Sequence, residues 1–385
     1  MNLTGGAEPP RVLGLVADDL TGAGDSASGF ADRGWKVVLH LGSTGVTVPD
    51  PATPTVLAVT TGSRAMANDA AARATAAAVG ALAAVGAERL YLKIDSTVRG
   101  SVLGQLEGAL GAWSRRYPKA GAVICPAFPA QRRTVVGGQV LVDGVPVGQS
   151  AAAADPVTPR RISDLTGIFA GAVPGRVGDR VPRLILDAAT DADLDRIGTR
   201  LAGAGPELIL VGSGGLAAAL SRAWAPAGAP RRSPVTRGRI LIAISSLHPV
   251  TADQVGRLDP AVGIDLLTTA ARTVVPTAAA AELADRVATA LREQDYGALV
   301  VVGGDGAAAI LARLGAEHIT IDGSIVGGCP TGIIRGGAAD RLRLVTKSGG
   351  FGDPRTLETI TSRLRAGFRS DDEDAAPRPV DKEAP

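Results

Sequence analysis

VLGLVADDLTGAGDSA, residues 12–27, decides the fold class. Val12–Val16 is a short apolar run of the kind that forms a strand buried on both faces. It runs straight into two adjacent carboxylates, Asp18 and Asp19. Thr21 and the small residues Gly22, Ala23 and Gly24 then open a helix that carries Asp25 near its start. A strand, a polar loop and a helix in this order form the first unit of an α/β fold. In open parallel sheets the ligand sits beyond the carboxyl ends of the strands, where Asp18 and Asp19 stand. Carboxylates suit hydroxyl-rich ligands because each accepts several hydrogen bonds, and one beside a reacting hydroxyl can take its proton. The competing reading is structural: Asp19 or Thr21 caps the helix and Asp25 complements its dipole.

The same rhythm continues outward from this unit. Strands are expected at Val37–Leu41, Val56–Thr60, Leu90–Ile94, Ala122–Cys125, Leu184–Leu186 and Leu208–Val211. Helices are expected at Asn68–Val85, Val102–Arg116, Asp191–Leu201 and Leu216–Trp224. Residues 226–238, rich in Pro, Gly and Arg without apolar period, read as a linker. The pattern restarts with strands at Ile240–Ile244, Leu299–Val302, Ile319–Ile321 and Leu342–Val345 and a last helix at Arg355–Leu364. Two α/β domains with mainly parallel sheets follow, residues 1–225 and 239–368, with a ligand cleft between them. The charged, Pro-containing stretch 369–385 reads as a disordered tail.

Composition narrows the function. A chain of 385 residues, 45% hydrophobic but only 3% aromatic, packs its cores from Ala, Val, Leu and Ile, as Ala-rich helices on parallel sheets do. Forty basic against 38 acidic residues give a formal charge of +2, without the basic stripe of a nucleic-acid binder. Cys125 and Cys329 make neither a disulfide framework nor a CxxC metal motif, and read as small buried residues of a reducing compartment. MNLTGGAEPPR lacks the apolar core of a signal peptide, and the Ala-rich run 70–87 is interrupted by Arg73, Thr75, Gly80 and Gly86. A cytoplasmic protein without membrane or nucleic-acid partners is the expectation.

The loops carry the chemistry. KIDSTVRG (Lys93–Gly100) follows a strand. Lys93 and Arg99 can hold a carboxylate or a phosphoryl group, and Ser96 and Thr97 supply donors where a helix begins. A capped helix start with an Asp95–Arg99 ion pair is the structural alternative. TGSR (Thr61–Arg64) ends another strand, and DPVTP (Asp155–Pro159) is stiff enough to fold over a site. In the second half three loops follow strands: ISSLHPVT (Ile244–Thr251), VVGGDGAA (Val301–Ala308) and TKSGGFGD (Thr346–Asp353). Glycine-exposed backbone N–H groups at helix starts cradle phosphates. Asp305 can hold Mg²⁺ through water or cap a helix, and His248 is open between a structural and an active role.

Two motifs mislead. GSGGLA (Gly212–Ala217) fits a dinucleotide fingerprint, but no acidic residue stands about 20 positions on. TGAGD (Thr21–Asp25) is similar to the signature of ribokinase-like sugar kinases, which lies far along those chains rather than at their start. Walker A is absent.

Taken together, ADDLTGAGDSA, TGSR, KIDSTVRG, CPAFPAQRRT, GGQVLVDGVPV, DPVTP, GSGGLA, GGDGAA and TKSGGFGD resemble, in order and over roughly residues 11–365, the four-carbon acid sugar kinases. The resemblance implies an N-terminal domain for the sugar acid, a C-terminal domain for ATP, and transfer to the terminal hydroxyl with Mg²⁺ bridging the phosphates. It implies that Asp18, Asp19, Ser63, Arg64, Lys93, Asp95, Ser96, Thr97 and Arg99 line the acid-sugar pocket. Ser246, Gly303, Gly304, Asp305, Gly306, Gly349 and Gly350 would contact the nucleotide. Asp19 or Asp95 would orient or deprotonate the hydroxyl, with Lys93 and Arg99 steadying negative charge. Two departures stand out. The loop usually written GS-x-S reads Ser245, Ser246, Leu247, His248 ahead of Thr251, and Gly306 stands where the family has Thr. A non-catalytic sugar-acid sensor and an NAD-dependent dehydrogenase are the alternative functions, and a homodimer is left open.

Overall fold

The computed structural model describes residues 8–369 except 49–52, 156, 180, 225–231, 234, 259–262, 270–275 and 367. Most of the linker 226–238 and all but the first residue of the tail 369–385 lie outside the described residues.

The N-terminal half runs β1 (Val12–Ala17), α1 (Leu20–Ala31), β2 (Lys36–His40), β3 (Thr55–Thr60), α2 (Asn68–Ala84), β4 (Arg89–Lys93), α3 (Val102–Trp113) and β5 (Gly121–Cys125). A small antiparallel sheet follows, β6 (Arg133–Val136), β7 (Gln139–Val142) and β8 (Val145–Pro146). Then come α4 (Leu165–Ile168), β9 (Val173–Pro174), β10 (Arg183–Ile185), α5 (Asp191–Ala202), β11 (Leu208–Gly212) and α6 (Gly214–Ala223). The C-terminal half holds β12 (Arg232–Ser233), β13 (Arg239–Ile244), α7 (Pro249–Val255), β14 (Ile264–Thr268), α8 (Pro276–Glu293), β15 (Tyr296–Val302) and α9 (Gly304–Arg313). It closes with β16 (His318–Val326), β17 (Cys329–Arg335), β18 (Arg343–Lys347), α10 (Thr356–Ala366) and β19 (Phe368–Arg369).

Mainly parallel α/β layers are observed as expected, but the two halves share one continuous sheet. Its order is β14-β13-β15-β18-β17-β16-β2-β3-β1-β4-β11-β5-β10-β9. The seam is an antiparallel pairing of β16 with β2, from His318 opposite His40 to Ile321 opposite Val37. The hydrophobic core is likewise continuous, running from Leu13 and Val37 through Ile319 to Leu241 and Leu299. On β13, Leu241 and Ala243 join this core while Ile240, Ile242 and Ile244 join a second cluster with Leu357 and Ile360 of α10. That alternation is what covering a strand on both faces requires.

Pairing across the seam reverses strand polarity, because β16–β2, β16–β17 and β17–β18 are all antiparallel. In a flat sheet the carboxyl ends of the two parallel sets would open on opposite edges. Five steps separate β18 from β1, and sheet twist of roughly 20–25° per step turns one set through roughly 100–125° relative to the other. Register shifts in β16, between Ile321 and Gly323 and between Ser324 and Val326, add twist at the seam. The two carboxyl edges thereby open onto one space.

Helix α1 plugs the junction. Ser324 Oγ of β16 is 2.9 Å from Ser28 Oγ in a buried contact, and Ser324 N donates to Asp32 Oδ1 at 2.8 Å. A methyl at Gly24 would come within 2.9 Å of Pro330 on β17, so this helix face needs glycine to seat so closely. α2 and α3 cover the other face, with Gly104 and Gly108 directly against the backbone of Asn68 and Ala72.

Candidate functional site

A cavity of about 1080 Å³ opens where the halves meet. Its walls carry Asp18, Asp19, Asp25, Arg64, Lys93, Asp95, Ser96, Thr97 and Arg99 from the first half and His248, Gly304, Asp305, Ser348 and Gly350 from the second. Direct approach ties the two sets together. A methyl at Gly304, the first residue of α9, would lie 3.3 Å from Thr21 Oγ1 and 3.7 Å from Asp19 Oδ2.

Ion pairs organise the N-terminal wall. Arg64 grips Asp18 with two parallel bonds, Nε to Oδ2 at 2.7 Å and Nη2 to Oδ1 at 2.9 Å, and Nη2 also reaches Asp19 Oδ1 at 2.8 Å. Burial pushes the Asp18 carboxyl up, against the pull of Arg64. Burial acts on Asp19 too, but Arg64 and Lys93 outweigh it and hold that carboxyl below its usual range. Asp19 also caps α1, accepting from Gly22 N at 3.2 Å and Thr21 Oγ1 at 2.7 Å. Asp19 therefore caps α1 and also lines the cavity. Lys93 lies under the first turn of α1, and a methyl at Gly22 would come within 2.6 Å of its Nζ.

Asp95 is the most saturated carboxylate. It accepts from Thr97 N at 3.1 Å, Thr97 Oγ1, Arg99 Nε at 3.0 Å and Arg99 Nη2 at 2.9 Å. Burial opposes its ionisation, yet Arg64 and Arg99 prevail and hold it well below the carboxylate range. Arg99 Nη1 also binds Asp155 Oδ2 at 2.8 Å, and Asp155, Val157 and Thr158 line the cavity. Asp155 Oδ1 in turn accepts from the backbone of Val157 and Thr158, both at the wall.

The structure does not bring every expected residue to this wall. Ser63 is fully buried, 2.8 Å from Thr61 Oγ1, so it braces the loop while Thr61, Gly62 and Arg64 face the cavity. Ser246, Gly303, Gly306 and Gly349 stand behind the wall. Gly303 has φ 114° and caps α9, and a side chain at 303 or 306 would collide with the Ser245 hydroxyl. Ser245 thus fills the volume that a threonine at 306 would need, so the serine at 245 and the glycine at 306 fit each other. Gly349 leaves room for Ser246, whose Oγ accepts from His248 N at 3.2 Å, while Thr251 Oγ1 donates to Gly349 O at 2.9 Å. His248 caps α7 through Nδ1 and reaches the cavity. Beneath the third loop, Lys347 is fully buried and donates to Ser348 O at 3.0 Å. Burial pushes its ammonium down to about 8.

Sequence reasoning missed Arg133 and Phe128 as wall residues, though CPAFPAQRRT was in view. Gly214, read as part of a false dinucleotide motif, has a physical explanation. A methyl there would come within 2.5 Å of Asp25 Oδ2 and 2.9 Å of Phe128, so a carboxylate occupies the ground a pyrophosphate would need. Cys125 is buried and its thiol is pushed up to about 12, as a packing residue's would be. Among the described residues no cluster of His, Cys, Asp or Glu is set to hold a metal by itself, and no helix is long and apolar enough to cross a membrane.

Residues 13–182 match the family described as Sugar-binding N-terminal domain, and residues 268–357 match Nucleotide-binding C-terminal domain. The chain is 36% identical to the D-threonate kinase of Bordetella bronchiseptica, covering 92% of this chain and 97% of that protein. It is 26% identical to the 3-oxo-tetronate kinase of Pseudomonas fluorescens, over 94% and 99%. A solved Bordetella bronchiseptica structure with bound citrate, a domain-swapped dimer, shares 34% identity over 93% of this chain and 98% of that one, with TM-score 0.51. A wall of paired acids and bases facing a glycine-led helix start, in a chain matched over more than nine-tenths of its length by such relatives, has one reading: this protein belongs to the four-carbon acid sugar kinase family.

Proposed function

We propose that the protein transfers the γ-phosphoryl group of ATP to the terminal hydroxyl of a four-carbon sugar acid: threonate, erythronate or a 3-oxo-tetronate. The observation that carries this reading is the common cavity. Acid and base loops of residues 18–25, 61–64 and 93–99 line it together with the start of α9 and the Ser348–Phe351 loop. Phosphoryl transfer asks mostly for positioning and charge neutralisation. An acceptor hydroxyl held by one wall and a phosphate chain held by the other meet both needs.

In this reading residues 1–225 form the acid-sugar domain and 239–368 the nucleotide domain. Backbone N–H groups of Gly304 and Asp305, at the positive end of α9, receive phosphate oxygens. Asp19, oriented by Arg64, accepts hydrogen bonds from substrate hydroxyls on the lone pairs its other partners leave, while Asp18, its side chain fully buried, holds Arg64 in place. Lys93 has no hydrogen bond or ion pair among the described residues and is free to meet substrate or phosphoryl oxygen. Arg133 likewise pairs with no carboxylate among the described residues, so its guanidinium suits the substrate carboxylate.

Mg²⁺ accompanies ATP in such chemistry, where it neutralises phosphate charge. Asp305 is exposed in the first turn of α9, on the wall of the cavity. One carboxylate completed by waters and phosphates is a fitting donor set for that ion. The domain-swapped Bordetella relative supports a homodimer, which light scattering on the purified protein tests. The substrate test is ADP release over D- and L-threonate, D- and L-erythronate and 3-oxo-tetronates. One of them is expected to drive ATP consumption, and silence across the panel would reject the proposal.

A further inference from the structure

We propose that Asp25, rather than Asp19 or Asp95, is the proton acceptor of the transfer. The inference deepens the phosphotransfer reading and rests on it. As the substrate's terminal oxygen attacks the γ-phosphorus, an O–P bond forms and the bond from phosphorus to the β–γ bridging oxygen breaks. ADP leaves with that electron pair, and the hydroxyl proton passes to a carboxylate oxygen of Asp25.

Hydrogen bonding selects among the carboxylates. Both oxygens of Asp18 are taken by Arg64. Asp19 spends its oxygens on Thr21, Gly22 and Arg64. Asp95 is saturated by Thr97 and Arg99, and Asp155 is held by Arg99 and its own loop. An acid held this way is a poor base, because every bond it accepts stabilises the ionised form. Among the described residues no hydrogen bond or ion pair reaches the carboxylate of Asp25, yet it lines the cavity.

Position agrees with this selection. Asp25 sits on α1, the helix wedged into the seam. Its Oδ2 lies against Gly214 at the start of α6, and its Oδ1 would be 3.7 Å from a methyl at Gly328, in the hairpin between β16 and β17. Phe128 and Phe351 pack at the same two points. Asp25 therefore stands where the two walls converge, as the acceptor oxygen and the γ-phosphorus must.

The charged and titratable groups that act on Asp25 or feel it are Lys93 on β4, Asp19 at the start of α1 and Tyr91 on β4. Burial raises the Asp25 carboxyl to about 6, Asp19 adds to the rise, and Lys93 opposes it. A base titrating there is ionised at neutral pH and still takes a proton readily. Helix α1 is capped by Asp19, so Asp25 is not needed to start it.

The test uses the full chain and the acid identified by ADP release. Asp25→Asn is expected to lower kcat by about 100-fold or more, leave KM for ATP and for the acid within about threefold, and abolish an acidic limb in the kcat–pH profile near pH 6. Retention of more than about a third of kcat, or of the limb, overturns the proposal. If Asp25→Asn does not fold, Asp25→Glu decides: reduced turnover with a displaced limb supports the role, and full turnover with an unmoved limb overturns it. A wild-type chain that turns over no four-carbon acid rejects both readings. Wild-type turnover with an indifferent Asp25→Asn rejects only this one.

Discussion

If Asp25 is held for chemistry, removing its charge should stabilise the fold. Burial raises its carboxyl from 3.8 to about 6, a difference of roughly two units, which corresponds to about 3 kcal/mol between the two protonation states. The sign follows from proton binding. Between pH 4 and 6 the folded state holds a proton that the unfolded state has released, so the neutral form's stability is present below about pH 4 and lost as pH rises through 6. Asp25→Asn is neutral at every pH. The variant should match the wild type near pH 4 and exceed it by up to about 3 kcal/mol at pH 8. Equilibrium urea unfolding at pH 4, 6 and 8, without ligands, measures this. A variant less stable than wild type at pH 8, or a difference constant across pH, would refute the reasoning, because the carboxylate would then have a partner in the folded protein.

Other consequences follow from the same geometry. Arg64→Met leaves Asp18 buried without its cation and should destabilise by about 3–5 kcal/mol, with most of the loss recovered on adding Asp18→Asn; urea melts of the single and double variants decide. Gly306→Ala pushes a methyl into Ser245 and should cost about 1–3 kcal/mol, relieved by Ser245→Gly; equal effects in both backgrounds would deny the fit. Gly22→Ala displaces Lys93 from under α1, so turnover should fall while nucleotide binding, followed by thermal shift, persists. At the seam, burial pushes His40 down to about 4, aided by His318. The unfolded state therefore takes up a proton first, and stability should fall by up to about 3 kcal/mol as pH drops from about 6.5 to 4. His40→Gln should flatten that slope.

Apolar periodicity made most of the sheet legible. Eleven expected strands coincide in place with observed ones, from Val12 to Lys347, because a strand buried on both faces has to be a short run of branched apolar residues. β17 was not legible: Pro330 and Gly332 interrupt the apolar run in CPTGIIR (Cys329–Arg335), yet they suit the tight approach of α1 and of β16. The seam was also invisible, since nothing in a single strand says that β16 will pair with β2 across nearly 280 residues. For the site, the residue types pointed to loops that line the common cavity but not to which groups are free. Asp18, Asp19, Asp25 and Asp95 look alike as letters, and only the donors around them separate the paired acids from Asp25. Glycines misled in the other direction. Gly303, Gly306 and Gly349 make room for serine hydroxyls, and of the expected nucleotide glycines only Gly304 and Gly350 reach the cavity.

The central claim, that one cavity brings a sugar acid to ATP, is tested most directly by the fate of the γ-phosphorus. With γ-labelled ATP and the tetronate panel, the account predicts one labelled acid phosphate formed in step with ADP. Label that stays in ATP with every acid, or passes to water as inorganic phosphate while the acid remains unlabelled, would contradict it.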